Sequence, residues 1–550
     1  MGFVYKIVSS MEKVFSSASC VQELEEKALS GLKGETLSFQ IAYFWDGTRK
    51  NHGFCEVDSP LAEHVRIREV RLVPCEYPCH MKRDEGYLAT VSGLYPDLLT
   101  DLNEFGFPLV PGQWRSLWVD VELTGQMPAG SYPVKLLLKT RDERLGEAEV
   151  TVEVIDAVLP KLPVPHTEWF HCDCLANYYN VEIFSERHWQ IIEEYVKTAV
   201  KHKCNMLLTP VFTPPLDTAV GGERPTVQLV GVTVTKDGYE FDFSKFRRWV
   251  QMARRCGIEY FEISHLFSQW GASCAPKVMA TRDGVYQQIF GWETKASGPE
   301  YSAFMHSFLT ELKKVLEELD IARVSYFHIS DEPFMEHLEN YRAALNVVAE
   351  DLKGYTIIDA LSNYDFYQHG LVKQPVCGLD HIQPFLEEGQ RPEKLWGYYC
   401  TAQCVDVSNR FIALPGFRTR ILGTQMYKYR LAGFLHWGYN FYNSEYSWYP
   451  IDPYRCTDSA GAFPSGDPFL VYPGADGKPL DSLRLMLMDE AMSDLCAMTL
   501  LESLAGRDAV MACIEDGGTV GIDVYPQSAA WLLKMRRRVN EKIAEAVSAS

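Results

Sequence analysis

Val324-Ser325-Tyr326-Phe327-His328-Ile329-Ser330-Asp331-Glu332-Pro333 is an apolar run that stops at two adjacent carboxylates and a proline. Its β-branched and aromatic residues specify a strand. Pro333, followed by the helical spacing of Phe334, Leu338, Tyr341 and Leu345, predicts a helix that begins at the proline. Alternation puts Tyr326, His328, Ser330 and Glu332 on one face, with Phe327 and Ile329 on the other. Proline disfavours the α region for the residue before it, so Glu332 is expected to be extended at the strand tip. Asp331 then points away, unless the pleat breaks there. Two readings of the acids stand side by side: a reactive pair, or two charges favouring the positive N-terminus of the following helix.

Outward from this corner the sequence alternates strands with helices. Before it come strands at Glu168 to Cys174, Asn205 to Phe212 and Tyr260 to Leu266, with helices at Glu186 to Lys203, Phe243 to Cys256 and Tyr301 to Leu319. After it come strands at Thr356 to Leu361, Gly378 to Pro384, Leu395 to Thr401 and Gly433 to Phe441, with helices to Leu352 and over Arg418 to Arg430. Eight strands with intervening helices predict a (β/α)8 TIM barrel over 166–455, in which catalytic groups stand at the C-terminal strand ends. A hairpin insertion is expected within 213–242. The segment from Phe267 to Pro299, carrying Trp270 and Trp292, reads as a lid or as a solvated excursion.

Residues 1–160 show short alternating segments (Leu37 to Phe44, Val65 to Val73, Ser116 to Leu123, Ser131 to Lys139, Glu147 to Val154) between Gly, Pro and Asp turns. They predict an all-β sandwich, closed off by the proline-rich connector from Val158 to Pro165. Residues 456–550 begin as loop and continue as helices from Ser482 to Leu500 and Gln527 to Ala546, expected to pack on the barrel.

A formal net charge of -20 argues against nucleic acid and anionic membrane as partners, since either needs clustered Lys and Arg. No apolar run is long enough to span a bilayer, and the start lacks the features of a secretory signal, so a cytoplasmic location is expected. The 15 cysteines are odd in number and scattered, which suits free thiols. Cys75/Cys79, Cys172/Cys174 and Cys400/Cys404 lack paired zinc spacing, and no metal or other cofactor is expected. Aromatic content of 13% supplies stacking surface for sugars as well as core.

An acid at a barrel strand tip suits glycoside hydrolysis, where a carboxylic acid protonates the leaving oxygen. Two adjacent carboxylates repel, so Asp331 is expected to raise the pKa of Glu332, which favours Glu332 as proton donor. A retaining enzyme ordinarily takes its nucleophile from a second strand. Strand seven carries no Glu or Asp, and strand eight has none until Glu445. That points to substrate assistance, in which the sugar's own 2-acetamido oxygen attacks the anomeric carbon.

The run His328 to Pro333, the strand Gly433-Phe434-Leu435-His436-Trp437-Gly438-Tyr439-Asn440 and the segment Asp467 to Gly474 with Ser482-Leu483-Arg484 resemble glycoside hydrolase family 123 and the related domain family 4091. Met11 to Phe15 and Gly34 to Gln40 are similar to that family's leading sandwich. The resemblance implies a β-sandwich followed by a TIM barrel and a β-N-acetylgalactosaminidase activity on glycan termini. It also implies that Asp331 orients the acetamido group while Glu332 serves as general acid and base.

Trp437, Tyr439 and Asn440 on strand eight are candidate walls and polar contacts for the sugar, with barrel packing as the alternative for each. Tyr398 is placed to hydrogen-bond the acetamido carbonyl, and His265 to contact a hydroxyl. His328 reads as a buried partner of the site rather than a catalyst. Two other functions answer to the same residues. A conventional retaining or inverting glycosidase on a neutral sugar needs a partner carboxylate, for which Asp365, Asp380 and Glu445 are the candidates. A non-catalytic carbohydrate-binding protein predicts sugar binding without turnover, and leaves the acids to helix capping.

Overall fold

The computed structural model describes residues 2–387 and 389–549. The chain first lays down two five-stranded sheets. One has the order Phe3–Ser9, Thr36–Trp45, Gln113–Glu122, Val65–Cys75, Gly93–Asp101; the other Ala28–Lys33, Arg144–Val158, Gly130–Lys139, Asn51–Asp58, Phe107–Leu109. Alternate residues Phe39, Ile41 and Tyr43 of the first share one core with Val134, Leu136 and Val150 of the second. The period-two pattern therefore does here what it does in any half-buried sheet.

Eight parallel strands then close into a barrel: His166–Glu168, Met206–Thr209, Tyr260–Ile263, Ser325–Phe327, Thr356–Ala360, Gln374–Gly378, Trp396–Tyr398 and Phe434–His436. Trp169, Met206, Leu208, Ile358, Val376 and Trp396 fill its interior. Several boundaries depart from the sequence reading. The first strand ends at Glu168, and Cys172 to Cys174, expected as its end, instead open the helix Cys172–Tyr179, ended by Asn180 at a left-handed φ of 49°. The sixth strand is Gln374–Gly378, not Gly378 to Pro384: Pro375 masks the strand. Leu379, Ile382 and Phe385, spaced by three, bury one side of the short helical turns that follow.

The fourth strand is shorter than its sequence suggested. After Phe327 the ladder gives way to a side chain, because Asp359 Oδ1 accepts from the backbone N–H of Ile329 (3.0 Å) and Ser330 (3.3 Å). No helix starts at Pro333; a 3-10 turn occupies Met335–His337, and the α-helix is Leu338–Val348. Glu332 is not extended but has φ 41°. The pleat is broken at this point, which frees Asp331 from pointing away.

The segment after strand three folds as a hairpin, Val278–Arg282 with Val285–Phe290. It joins the hairpin Gly231–Thr235 and Gly238–Asp242 in one four-stranded sheet. C-terminal helices Leu483–Ala505, Arg507–Glu515 and Ala529–Ser548 follow, the middle one unforeseen. Among the described residues no helix is long and apolar enough to cross a membrane. All 15 cysteines are free thiols.

Helix Gly416–Lys428 packs against Leu483–Ala505 so closely that a Cβ at Gly423 would lie 1.8 Å from the Ala491 carbonyl oxygen. Gly423→Ala is therefore expected to destabilise by about 2–3 kcal/mol, overpacking outweighing the ~1 kcal/mol gained in helix propensity. A chemical melt reads this, and a neutral or stabilising result refutes the close approach.

Candidate active site

The C-terminal end of the barrel is built in two storeys of polar side chains. In the lower one His328 lies between two carboxylates, its Nε2 donating to Glu262 Oε1 (2.6 Å) and its Nδ1 to Asp359 Oδ1 (3.3 Å). All three are fully buried. Burial alone would depress the imidazole, but the two carboxylates outweigh it and lift His328 to about 9. Glu262 is further satisfied by Trp169 Nε1 (2.7 Å) and Thr167 Oγ1 (2.5 Å). Asp359 also takes the Tyr341 hydroxyl. Every acceptor in this layer is engaged, as a buried charge requires.

His265 stacks on His328 at 4.3 Å and meets the edge of Trp169 at 5.2 Å. Among the described residues neither of its ring nitrogens has a hydrogen-bond partner, and it is 1% exposed. Burial, and then the His328 charge, push its pKa well below the ordinary imidazole value, so it is neutral. His265, His328 and Asp359 stand close enough to share a cation. The two His328 nitrogens are already committed to carboxylates, so His328 and Asp359 are met as an ion pair while His265 stays outside that pairing.

The upper storey holds Asp331 and Glu332. Tyr398, from strand seven, donates its hydroxyl to Glu332 Oε1 at 2.6 Å and shares Ser362 Oγ at 3.0 Å. Burial, and then the charge of Glu332, raise Asp331 well above the usual carboxylate range, with His328 opposing from below. Burial raises Glu332 too, against the Tyr398 hydrogen bond. The repulsion expected to raise Glu332 falls on Asp331 instead, while Glu332 is raised by burial and by the charge of Asp380, and the pair retains a proton at pH values where free carboxyls are ionised. Trp270 from the loop after strand three donates its backbone N–H to the Asp331 carbonyl at 2.9 Å. Glu332 at φ 41° and Trp270 at φ 54° hold a conformation that costs a side-chain-bearing residue on the order of 1 kcal/mol or more, the kind of strain that collects at working sites.

Trp437 borders the same cluster as Tyr398, half-buried, its Nε1 donating to Asp467 Oδ2 at 2.9 Å. Burial raises Asp467 to about 7, opposed by Arg410, Trp437 and Arg484. Tyr439 and Asn440 do not join the group. The Tyr439 hydroxyl donates to the Tyr195 carbonyl (3.0 Å) in the core outside the barrel, and the Asn440 amide is spent on the backbone of His171 at 2.9 and 3.1 Å. Strand eight ends at His436, so the alternation that placed Trp437 beside Tyr439 no longer applies. All three alternative carboxylates are exposed, Asp365 in the short helix Tyr364–Gln368 and Glu445 in a 3-10 turn. Asp380 accepts from Gln403 Nε2 and His381 Nδ1, each at 2.8 Å, and its charge helps to raise Glu332.

Sequence reasoning passed over Glu262, Asp359 and Asp467. The signal for the first two is a lone acid inside an apolar strand, Tyr260-Phe261-Glu262-Ile263 and Ile357-Ile358-Asp359-Ala360, where an unpaired charge is too costly to be incidental.

The family model for the glycoside hydrolase 123 catalytic domain matches residues 169–501. Among solved structures, a family 123 glycoside hydrolase from Clostridium perfringens, described for glycolipid glycan hydrolysis, superposes with a TM-score of 0.76 at 15% identity, covering 100% of this chain and 99% of that one. A Bacteroides ovatus GH5 xyloglucanase in complex with a XXXG heptasaccharide gives a TM-score of 0.30 at 9% identity, over 85% of this chain and 98% of that one. No curated protein matches the sequence.

Proposed function

The chain belongs to glycoside hydrolase family 123, and on that premise we propose that it releases a terminal β-linked N-acetylhexosamine, N-acetylgalactosamine first among them, with retention and by substrate assistance. The observation that carries the reading is the buried Asp331-Glu332 pair, Glu332 held by the Tyr398 hydroxyl, with both carboxyls raised by burial and Asp331 further by the Glu332 charge. In the first step Glu332 gives its proton to the glycosidic oxygen as the C–O bond breaks. The substrate's acetamido oxygen closes on the anomeric carbon, and Asp331 holds the amide N–H as positive charge develops there. In the second step Glu332 takes a proton from water, whose oxygen attacks the same carbon and reopens the ring. Two inversions leave the configuration unchanged.

The reading expects hydrolysis of an aryl 2-acetamido-β-galactoside, and inhibition by the matching thiazoline, which mimics the cyclic intermediate. The plain aryl β-galactoside should be slower by ~100-fold or more, since it has no internal nucleophile and the lost effective concentration is large. Equal rates on the two glycosides would exclude the mechanism. A dominant rate on the plain sugar would favour a conventional path, with Asp380 as the carboxylate to test.

A further inference from the structure

We propose that Asp217, Trp270 and Tyr446 form a subsite for the sugar on the leaving-group side of the cleaved bond, Asp217 accepting hydrogen bonds from its hydroxyls and the two rings packing on its apolar face. This rests on the reading of the Asp331-Glu332 pair as the cleaving acids.

The three residues come from different loops at the barrel mouth and are tied to one another and to the acids. Asp217, after strand two, donates its backbone N–H to Gln269 Oε1 at 2.7 Å. Its carbonyl accepts from Ser447 Oγ at 2.7 Å, and Ala219 N–H donates to the Tyr446 carbonyl at 3.2 Å. Trp270 follows Gln269 directly and binds the Asp331 carbonyl through its own N–H. Its ring meets that of Tyr446 edge to face at 5.9 Å. Leu216, beside Asp217, belongs to the same cluster as Tyr398 and Trp437.

Backbone strain converges here. Asp217 (φ 39°), Trp270 (54°), Ala272 (54°), Tyr446 (53°) and Ser447 (57°) all occupy the left-handed region that non-glycine residues avoid, as does Glu332 at 41°. Six such residues on four loops around one opening mark a surface held in shape for a ligand. The Asp217 carboxylate meanwhile has an unmet demand. One oxygen is met by the Tyr446 backbone N–H, but among the described residues no side chain donates to the carboxylate, and its Oδ2 is buried without a partner. Arg224, whose charge acts on it, is committed to Asp173 at 2.9 and 2.8 Å. A carboxylate with one unpartnered oxygen beside aromatic faces is what a polyol with one apolar side fits.

Exposure decides on which side of the acids this subsite lies. Tyr398, on Glu332, is 6% exposed, whereas Tyr446 is 37% and its neighbour Trp448 65% exposed. An enzyme that removes a terminal sugar holds that sugar at the bottom of its pocket, so the leaving sugar occupies the entrance.

The test compares kcat/KM on the β-1,3-linked disaccharide of N-acetylgalactosamine and galactose with kcat/KM on the aryl 2-acetamido-β-galactoside. It uses the wild type, Asp217→Asn and Tyr446→Gly, the last two chosen because Asn and Gly accept a positive φ without strain. The expected result is a fall of the disaccharide-to-aryl ratio by fivefold or more in each variant, both melting like the wild type. A smaller change in either overturns the subsite. If the wild type hydrolyses no acetamido glycoside, the functional reading has failed instead. The subsite is then judged by saturation-transfer NMR with methyl β-galactoside, whose binding must be present in the wild type and lost in Asp217→Asn.

Discussion

Glu332→Gln lowers kcat on the aryl 2-acetamido glycoside by ~10²–10⁴, the range that a positioned general acid supplies. The substitution keeps the shape of the side chain and can still accept from the Tyr398 hydroxyl, whose 2.6 Å contact orients it. Only the transferable proton is lost. A glycoside with a leaving group that needs no protonation should lose far less in the first step, and that difference separates loss of the acid from loss of the fold. Asp331→Asn acts otherwise. It removes the charge that supports the amide, so the acetamido substrate suffers by ~100-fold while residual turnover persists. It also moves the alkaline limb of the pH profile to lower pH. Glu332 next to a carboxylate holds its proton more tightly than Glu332 next to an amide, so activity that needs that proton is lost earlier as pH rises. An unshifted limb would separate the two groups electrostatically and refute the division of roles.

The same shift has a stability consequence with a definite sign. Folding raises the pKa of Asp331, chiefly by burial and then by the Glu332 charge. A carboxyl with a raised folded pKa contributes stability that is complete below the unfolded value of ~3.9 and is lost as pH rises through the folded one. At neutral pH the buried carboxylate therefore works against the fold. Asp331→Asn, though slowed, is expected to melt higher than the wild type at pH 7 and to lose that advantage at pH 4.

How much of this was readable beforehand depended on which interaction decided the local structure. The barrel was legible because strand and helix periods alternate over nearly three hundred residues, and hydrophobic burial enforces that rhythm. Asp331 and Glu332 stood out for the same reason, acids at the end of an apolar run. What misled was any point where a side chain, not the ladder, satisfies the backbone. Asp359 holds the amides of Ile329 and Ser330, so strand four stops early, and Glu332 turns into a conformation that pre-proline rules alone do not foretell. Asn440 caps His171 in the same manner, which turned a candidate sugar contact into part of the frame. Asp217 carries no local signal at all. Its position follows from loops that meet only in the folded chain.

Arg484→Met is expected to cost about 3–5 kcal/mol, as removal of one partner from a buried ion pair does. Arg484, at the start of helix Leu483–Ala505, is 0% exposed, and so is its partner Asp97 on strand Gly93–Asp101 of the first sheet. The pair is bidentate, 2.9 and 2.8 Å, and the remaining guanidinium nitrogen donates to the carbonyls of Gly466 (2.5 Å) and Phe469 (2.6 Å). One side chain thus fastens the N-terminal sheets, the C-terminal helix and the segment that carries Asp467. Methionine fills comparable space but leaves buried Asp97 with the Tyr472 hydroxyl, at 2.7 Å, as its one side-chain hydrogen-bond donor among the described residues, and with Lys13 as a nearby charge. Adding Asp97→Leu removes that stranded carboxylate and should recover much of the loss. Recovery stays incomplete, because two buried carbonyls still lack a donor at ~1–3 kcal/mol each. Urea melts of the three variants read the comparison. A single variant within about 1 kcal/mol of the wild type, or a double variant no better than the single, would show that the pair does not hold the junction. The effect should also reach the site, because Asp467 receives the Trp437 indole N–H, and releasing Gly466 and Phe469 on either side of it loosens that wall of the pocket.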